Sequence, residues 1–162
     1  MDTTSVSKRS GRSKGRRAMG RANLEVAWWM IGAGMTAGAV LGLWSFGGPL
    51  EPPPGFRAFD DLPRRLTRLG HIAAIALPAL NLLYVPWMRR ARWSDPVRRA
   101  GCRLLLVGTI GLPSLLVLSA FWRPARYALP VPVAALIAAT FLLAAGLSRR
   151  AAHAPAPRPE RS

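Results

Sequence analysis

Cysteine, histidine and acidic residues are scarce in this sequence. Its 162 residues include one Cys, two His and 7 Asp+Glu, against 23 Lys+Arg. A single Cys excludes a disulfide framework within the chain and a metal site built from several thiolates. Paired carboxylates inside the apolar segments, a Ser-His-Asp set, a Walker loop and an HExxH helix are all lacking. The sequence therefore predicts a protein that is not an enzyme.

Four long apolar runs make up most of the chain, at residues 25–46, 69–88, 104–122 and 127–147. Each has roughly 19–22 residues, and a helix that rises about 1.5 Å per residue needs about 20 to cross a hydrocarbon core. Lipid offers the backbone no hydrogen-bond partner, and the alternating pattern of a membrane barrel does not occur. The sequence predicts an all-α integral membrane protein, with the four helices packed as a bundle.

Two polar tails flank the predicted membrane domain of residues 25–148. Residues 1–24 are rich in Ser, Gly, Lys and Arg, and residues 149–162 are rich in Pro, Ala and Arg. Such segments bury too little apolar surface to offset the entropy lost on ordering. We therefore expect a disordered basic tail before the membrane domain and an extended tail after it.

The distribution of basic residues predicts the orientation of the chain. Seventeen of the 23 Lys+Arg lie in the two tails and in the loop between spans two and three, and six lie in the other two loops. The positive-inside rule then places both termini in the cytoplasm. We expect the spans to lie in a bacterial inner membrane. The same charges would attract anionic lipids at the cytoplasmic face. We expect no nucleic-acid partner, because no aromatic residue is interleaved with the charges of the first tail.

Span two contains the residues with the clearest chemical potential. His71 should lie just inside the outer boundary, Arg68 precedes it by three residues, and Asn81 lies near the midplane. An ionisable residue within a span is a functional hypothesis by default. His71 could ligate haem, relay a proton or contact a quinone headgroup, with Arg68 and Asn81 as further contacts. It could equally be a neutral His that bonds a carbonyl, with Asn81 joining two helices. A haem would need a second ligand from another copy, from a partner protein, or from Met30 or Met35.

Small residues and proline predict how the helices pack. Gly34, Gly38 and Gly42 recur at every fourth position of span one, a pattern that lets two helix backbones approach closely. The residues leave open whether the partner is span four or a second copy of the chain. Pro78 should kink span two and free the carbonyl of Ala74.

The loop before span two predicts a helix start. Asp60 or Asp61 followed by Pro63 is typical of a helix amino terminus, where a carboxylate caps free N–H groups. Two pairs also have the i,i+4 spacing of ion pairs on a helix surface: Asp60 with Arg64, and Asp61 with Arg65. The second helix should therefore begin outside the hydrocarbon.

A resemblance supports the same topology. The segment from Asp60 through Arg68-Leu69-Gly70-His71-Ile72 to Leu80-Asn81 resembles a group of small uncharacterised bacterial inner-membrane proteins with four spans. The likeness covers span two and its entrance. It implies the topology alone, because the group has no activity to carry over.

Three functional hypotheses follow. The leading one is a non-enzymatic accessory or assembly component without a cofactor, whose partners are other membrane subunits or a second copy. The second is a haem- or quinone-binding subunit of a respiratory redox system that uses His71. The third is a small transporter or channel, for which the spans offer a few polar side chains: Thr36, Asn81, Thr109, Ser114, Ser119 and Thr140.

Overall fold

A computed structural model of the protein describes residues 4–45 and 47–151, with side chains at 20–45 and 47–149. Over these residues the chain is all-α, as predicted. The helices are α1 Thr4–Gly42, α2 Leu62–Arg90, α3 Asp95–Phe121 and α4 Pro130–Ala151, with a 3₁₀ helix at Arg123–Ala128. Four helical segments of the described chain are long and apolar enough to cross a membrane. By length and composition, the protein is therefore a multi-pass membrane protein.

The bounds of the helices differ from those of the predicted spans. Helices α2 and α3 begin several residues early, at Leu62 and Asp95, so their first turns are polar. Helix α1 ends at Gly42 and not at residue 46, and α4 starts after the 3₁₀ helix. Hydropathy marks only the part of a helix that lies in hydrocarbon, whereas backbone hydrogen bonding continues into water until a cap or proline ends it.

The amino-terminal region differs most from the expectation. Helix α1 begins at Thr4, within the segment 1–24 for which composition predicts disorder. No proline interrupts residues 4–24, and the residues from Gly20 onward pack on α2. Each residue added upstream then gains a helical hydrogen bond without a second nucleation cost. At the other end, α4 continues to Ala151, and the rest of the predicted tail lies outside the described residues.

The four helices pack in chain order. Helix α1 packs on α2, α2 on α3 and α3 on α4, while α1 and α4 have no contact within the described chain. One end of the bundle, here named the basic end, brings together Gly20 of α1, Arg89 of α2 and Arg149, whose guanidinium lies over the Trp93 ring. The apolar core lies toward this end and joins α2, α3 and α4 through Tyr84, Met88, Ala91, Leu105 and Ala139. The opposite end is therefore less tightly filled.

Two of the three predicted packing glycines contact α2. A Cβ on Gly34 would lie 2.8 Å from Cγ1 of Ile75, and one on Gly38 would lie 2.9 Å from Nε2 of His71. A Cβ on Gly42 would meet nothing within 4 Å. The stripe thus serves the α1–α2 contact, not span four, and Gly42 takes no part in it. The fourth predicted packing residue, Pro78, is buried within α2.

The loop before α2 folds differently from the sequence prediction. Asp61 is the residue before α2, but its carboxylate accepts a hydrogen bond from the Ala58 N–H (2.9 Å) and does not cap the helix. Arg64 donates to the carbonyls of Phe56 and Arg57, both at 3.3 Å. These local bonds use the groups that i,i+4 ion pairs would have needed. Among the described residues, neither predicted ion pair forms.

Candidate functional site

His71 joins α2 to α1. Its Nδ1 lies 2.8 Å from the backbone oxygen of Gly34, and its imidazole ring lies against the Cα of Gly38. A carbonyl oxygen only accepts hydrogen bonds, so Nδ1 carries the proton. In the neutral ring, Nε2 is then a lone-pair acceptor that could receive a hydrogen bond or ligate a metal ion. This is how proteins fix the tautomer of a ligand-binding histidine.

A groove of about 740 Å³ opens beside His71. One wall is α1 from Met30 to Leu41, continued by Trp44 in the turn that follows, and the other is α3 from Pro113 to Val117. Helix α2 forms the floor between Thr67 and Ala74. No described residue of α4 contributes. We name it the His71 groove. It lies toward the end opposite the basic end, where the apolar core does not reach.

The helices create the groove by approaching one another unevenly. Near the basic end, α1 reaches α3, where the side chain of Asn23 donates to the carbonyl of Cys102 at 3.2 Å. Farther along, α2 keeps close to both neighbours, because Gly70 lies against Val117 of α3 and Gly34 lies against α2. The two outer helices then stand on either side of α2 and form facing walls.

Most of the lining is apolar, and five side chains bring polar atoms. Besides His71 these are Thr36, Thr67, Ser114 and Trp44. The hydroxyl of Thr36 donates to the carbonyl of Gly32 (3.0 Å), and that of Thr67 donates to the carbonyl of Pro63 (2.8 Å). Pockets that bind small molecules typically combine such an apolar wall with a few polar groups, in volumes of about 300–1,000 Å³.

The other two residues predicted to accompany His71 lie elsewhere. Arg68 is exposed, and its guanidinium carbon is 4.4 Å from the centroid of the Phe59 ring. Asn81 is fully buried toward the basic end, where Nδ2 of Asn23 donates to its Oδ1 at 3.1 Å. Ten residues along a helix separate His71 from Asn81 by about 15 Å. The three predicted residues do not form one site.

Asn23 is a structural residue that the sequence interpretation missed. It is 1% exposed, and its amide joins all three of the first helices through Asn81 and Cys102. It was overlooked because it lies in the predicted tail. Over residues 20–42 of α1, the buried positions are Gly20, Asn23, Ala27 and Gly34. Their helical spacing could have revealed that the packing stripe extends upstream of residue 25.

The remaining polar and metal-ligand candidates are dispersed. Thr109 and Ser119 are buried in α3, whereas Thr140 is exposed on α4. They do not form one continuous lining with the groove residues. Of the two methionines considered as haem ligands, Met30 lines the His71 groove and Met35 is 64% exposed. Among the described residues, no cluster of three or more His, Cys, Asp or Glu could hold a metal ion.

Comparison with known proteins adds no further constraint. No protein-family model, no curated protein and no solved structure matches this chain. The resemblance to four-span bacterial inner-membrane proteins therefore stays a prediction.

Proposed function

We propose that this protein is a non-enzymatic, ligand-binding component of the bacterial inner membrane. It would hold a lipid-soluble molecule in the His71 groove. The observation that supports this most directly is the groove itself, with an imidazole whose Nδ1 is fixed by Gly34 and whose Nε2 is left as an acceptor. The apolar walls would bind the body of the ligand, and the polar side chains would orient its polar end.

The orientation of the groove in the membrane follows from charge. With the basic end in the cytoplasm, its arginines would meet anionic lipid headgroups. The groove then lies in the outer half of the bilayer. Arg68 would stand near the outer phosphates, and His71 would lie about 4.5 Å deeper, three residues along α2. An amphipathic molecule could enter from the lipid with its polar end near His71.

The test is to identify what the groove retains. The full-length protein is purified in a mild detergent, and lipid-soluble molecules are extracted and identified by mass spectrometry. Ala37 lines the groove, whereas Ala39 is exposed on the same helix and does not. We expect Ala37→Leu to deplete a molecule that wild type and Ala39→Leu retain. Equal amounts in all three preparations would contradict the proposal.

The redox hypothesis has one specific form in this structure. His71 and Met30 both line the groove, so these two residues would hold a haem in this form of the hypothesis. Purified protein offered haem should then show a Soret band that His71→Ala abolishes. A protein that stays colourless would exclude this form. Its failure would leave the binding of other lipid-soluble molecules unaffected.

The accessory role that the sequence suggests is compatible with ligand binding. Helices α1 and α4 form the two flanks of the row and expose large apolar side chains such as Trp29 and Phe141. Other membrane subunits could contact these flanks without covering the groove floor contributed by α2. Proteins that co-purify with wild type in a mild detergent would identify such subunits. Transport is a weaker proposal, because the polar side chains that it requires are dispersed.

A further inference from the structure

The polar atoms of the His71 groove restrict the chemistry of its ligand. Thr36 and Thr67 each have one hydroxyl proton, and each donates it to a carbonyl of its own helix. The oxygens therefore keep only acceptor capacity toward any further partner. Nε2 of His71 is an acceptor in the neutral ring, because Nδ1 carries the proton. The polar side chains that α1 and α2 contribute to the lining thus offer hydrogen-bond acceptors alone.

Donors in the lining come from two other residues. Ser114 of α3 has a hydroxyl that can donate or accept, and Trp44 near the end of α1 has an indole N–H that only donates. A ligand with acceptors alone, such as a ketone, a quinone or an ether, could bond Ser114 or Trp44. It would leave the lone pairs of His71 and both threonines without a partner, away from water. Unpaired buried acceptors weaken binding.

We infer that the ligand of the His71 groove carries a hydroxyl group on an apolar body, as in a long-chain alcohol, a phenol or a quinol. A hydroxyl donates one hydrogen bond and accepts others, so it can donate to one acceptor of α1 or α2 while it accepts from Ser114 or Trp44. This inference rests on the proposed function, since it names the chemical class of the molecule that the groove would bind.

The shape of the groove fits such an amphipath. Thr67 and His71 are four residues apart and lie on one face of α2, so their acceptors are neighbours. From them the groove continues toward Met30 and Ala33, deeper in the bilayer, where the lining is apolar. A ligand that places its hydroxyl at the level of His71 and directs its hydrocarbon body toward the midplane would match both ends of the groove.

Three probes of one framework test the inference. Decylhydroquinone has two donors, its dimethyl ether has none, and decylbenzoquinone has acceptors alone. Each is titrated by calorimetry, without oxygen, into the full-length protein in maltoside micelles, with protein-free micelles as the blank. We expect the hydroquinone to bind about tenfold more tightly than either analogue, the effect of one or two hydrogen bonds. The ether is larger and the quinone smaller than the hydroquinone, so size does not explain a preference over both.

Substitutions then assign the preference to the groove. Thr67→Val and His71→Ala should each lower hydroquinone affinity about fivefold and leave ether affinity unchanged. Thr140→Val is the matched control. Thr140 also donates to a carbonyl of its own helix, that of Leu136 at 2.9 Å, but its side chain is exposed on α4, outside the groove. Size-exclusion chromatography and far-UV circular dichroism check folding. If His71→Ala does not fold, Thr67→Val carries the test alone.

The outcomes separate the two proposals. Equal affinity for the three probes, or tighter binding of the ether or quinone, overturns the hydroxyl inference and leaves the groove as a binding site. A hydroquinone preference that survives both Thr67→Val and His71→Ala also overturns it, because the donor would be recognised elsewhere. If wild type binds none of the probes, the proposed function fails together with the inference.

Discussion

The close approach of α1 and α2 at Gly38 gives the sharpest test of the packing. In Gly38→Ala the new Cβ would overlap Cε1 of His71 and lie 2.9 Å from Nε2. The ring cannot retreat without breaking its hydrogen bond to Gly34. We expect the overlap to cost about 1–3 kcal/mol of folding free energy and the lost hydrogen bond about 0.5–1.5 kcal/mol. The higher helix propensity of Ala offsets about 1 kcal/mol of this cost. The net loss of folding free energy should be about 0.5–3.5 kcal/mol.

Gly32 provides the matched control on the same helix. A Cβ there would meet nothing within 4 Å, so Gly32→Ala should gain up to about 1 kcal/mol from helix propensity. Unfolding of both variants is followed by far-UV circular dichroism in detergent micelles with rising amounts of sodium dodecyl sulfate. The two midpoints should move in opposite directions from wild type. If Gly32→Ala destabilises the protein as much as Gly38→Ala does, the assignment of the α1 faces is wrong.

Three further predictions concern other parts of the bundle. Tyr84→Phe should cost about 1 kcal/mol, because the buried hydroxyl donates to the carbonyl of Ala139 at 2.9 Å; denaturant unfolding measures this, and an unchanged midpoint would contradict it. The thiol of Cys102 is buried and free, so a maleimide should label it slowly in mild detergent and fast after unfolding in sodium dodecyl sulfate; equal rates would show that the thiol is accessible. A fluorescent or enzymatic reporter fused after Ser162 should be active only in its cytoplasmic form, as the basic residues predict.

The sequence predicted the fold class because lipid imposes a simple rule. Long uncharged runs such as 104–122 must be helical, and the structure confirms a helix over most of each of the four runs. Helix ends were less predictable. Asp60 or Asp61 was expected to cap α2, yet no side chain caps it, and the Asp61 carboxylate accepts a hydrogen bond from the Ala58 N–H. Which of several nearby donors a carboxylate chooses depends on the loop conformation, which the pattern of residues does not determine.

The groove could be predicted only in part. An ionisable residue within a span indicated His71, but its pairing with Gly34 required the register of α1 against α2. The sequence also grouped Asn81 with His71, since both are polar residues of one helix. Their actual partners are eleven residues apart on α1, at Asn23 and Gly34. Three-dimensional neighbours of this kind depend on which helices adjoin, and the sequence left open whether span four or a second copy of the chain packs on α1.

The bonds of Asn23 reach far along the chain, and this affects how the protein is made. Its two acceptors, on Asn81 and Cys102, follow it by 58 and 79 residues. Ribosomes add about 5–20 residues per second, so the second acceptor is synthesised about 4–16 seconds after Asn23. A first helix that enters the bilayer during that time would carry an unpaired amide. Asn23 lies at the end of the membrane-crossing part of α1, close to Gly20, where water can solvate the amide until the later helices arrive.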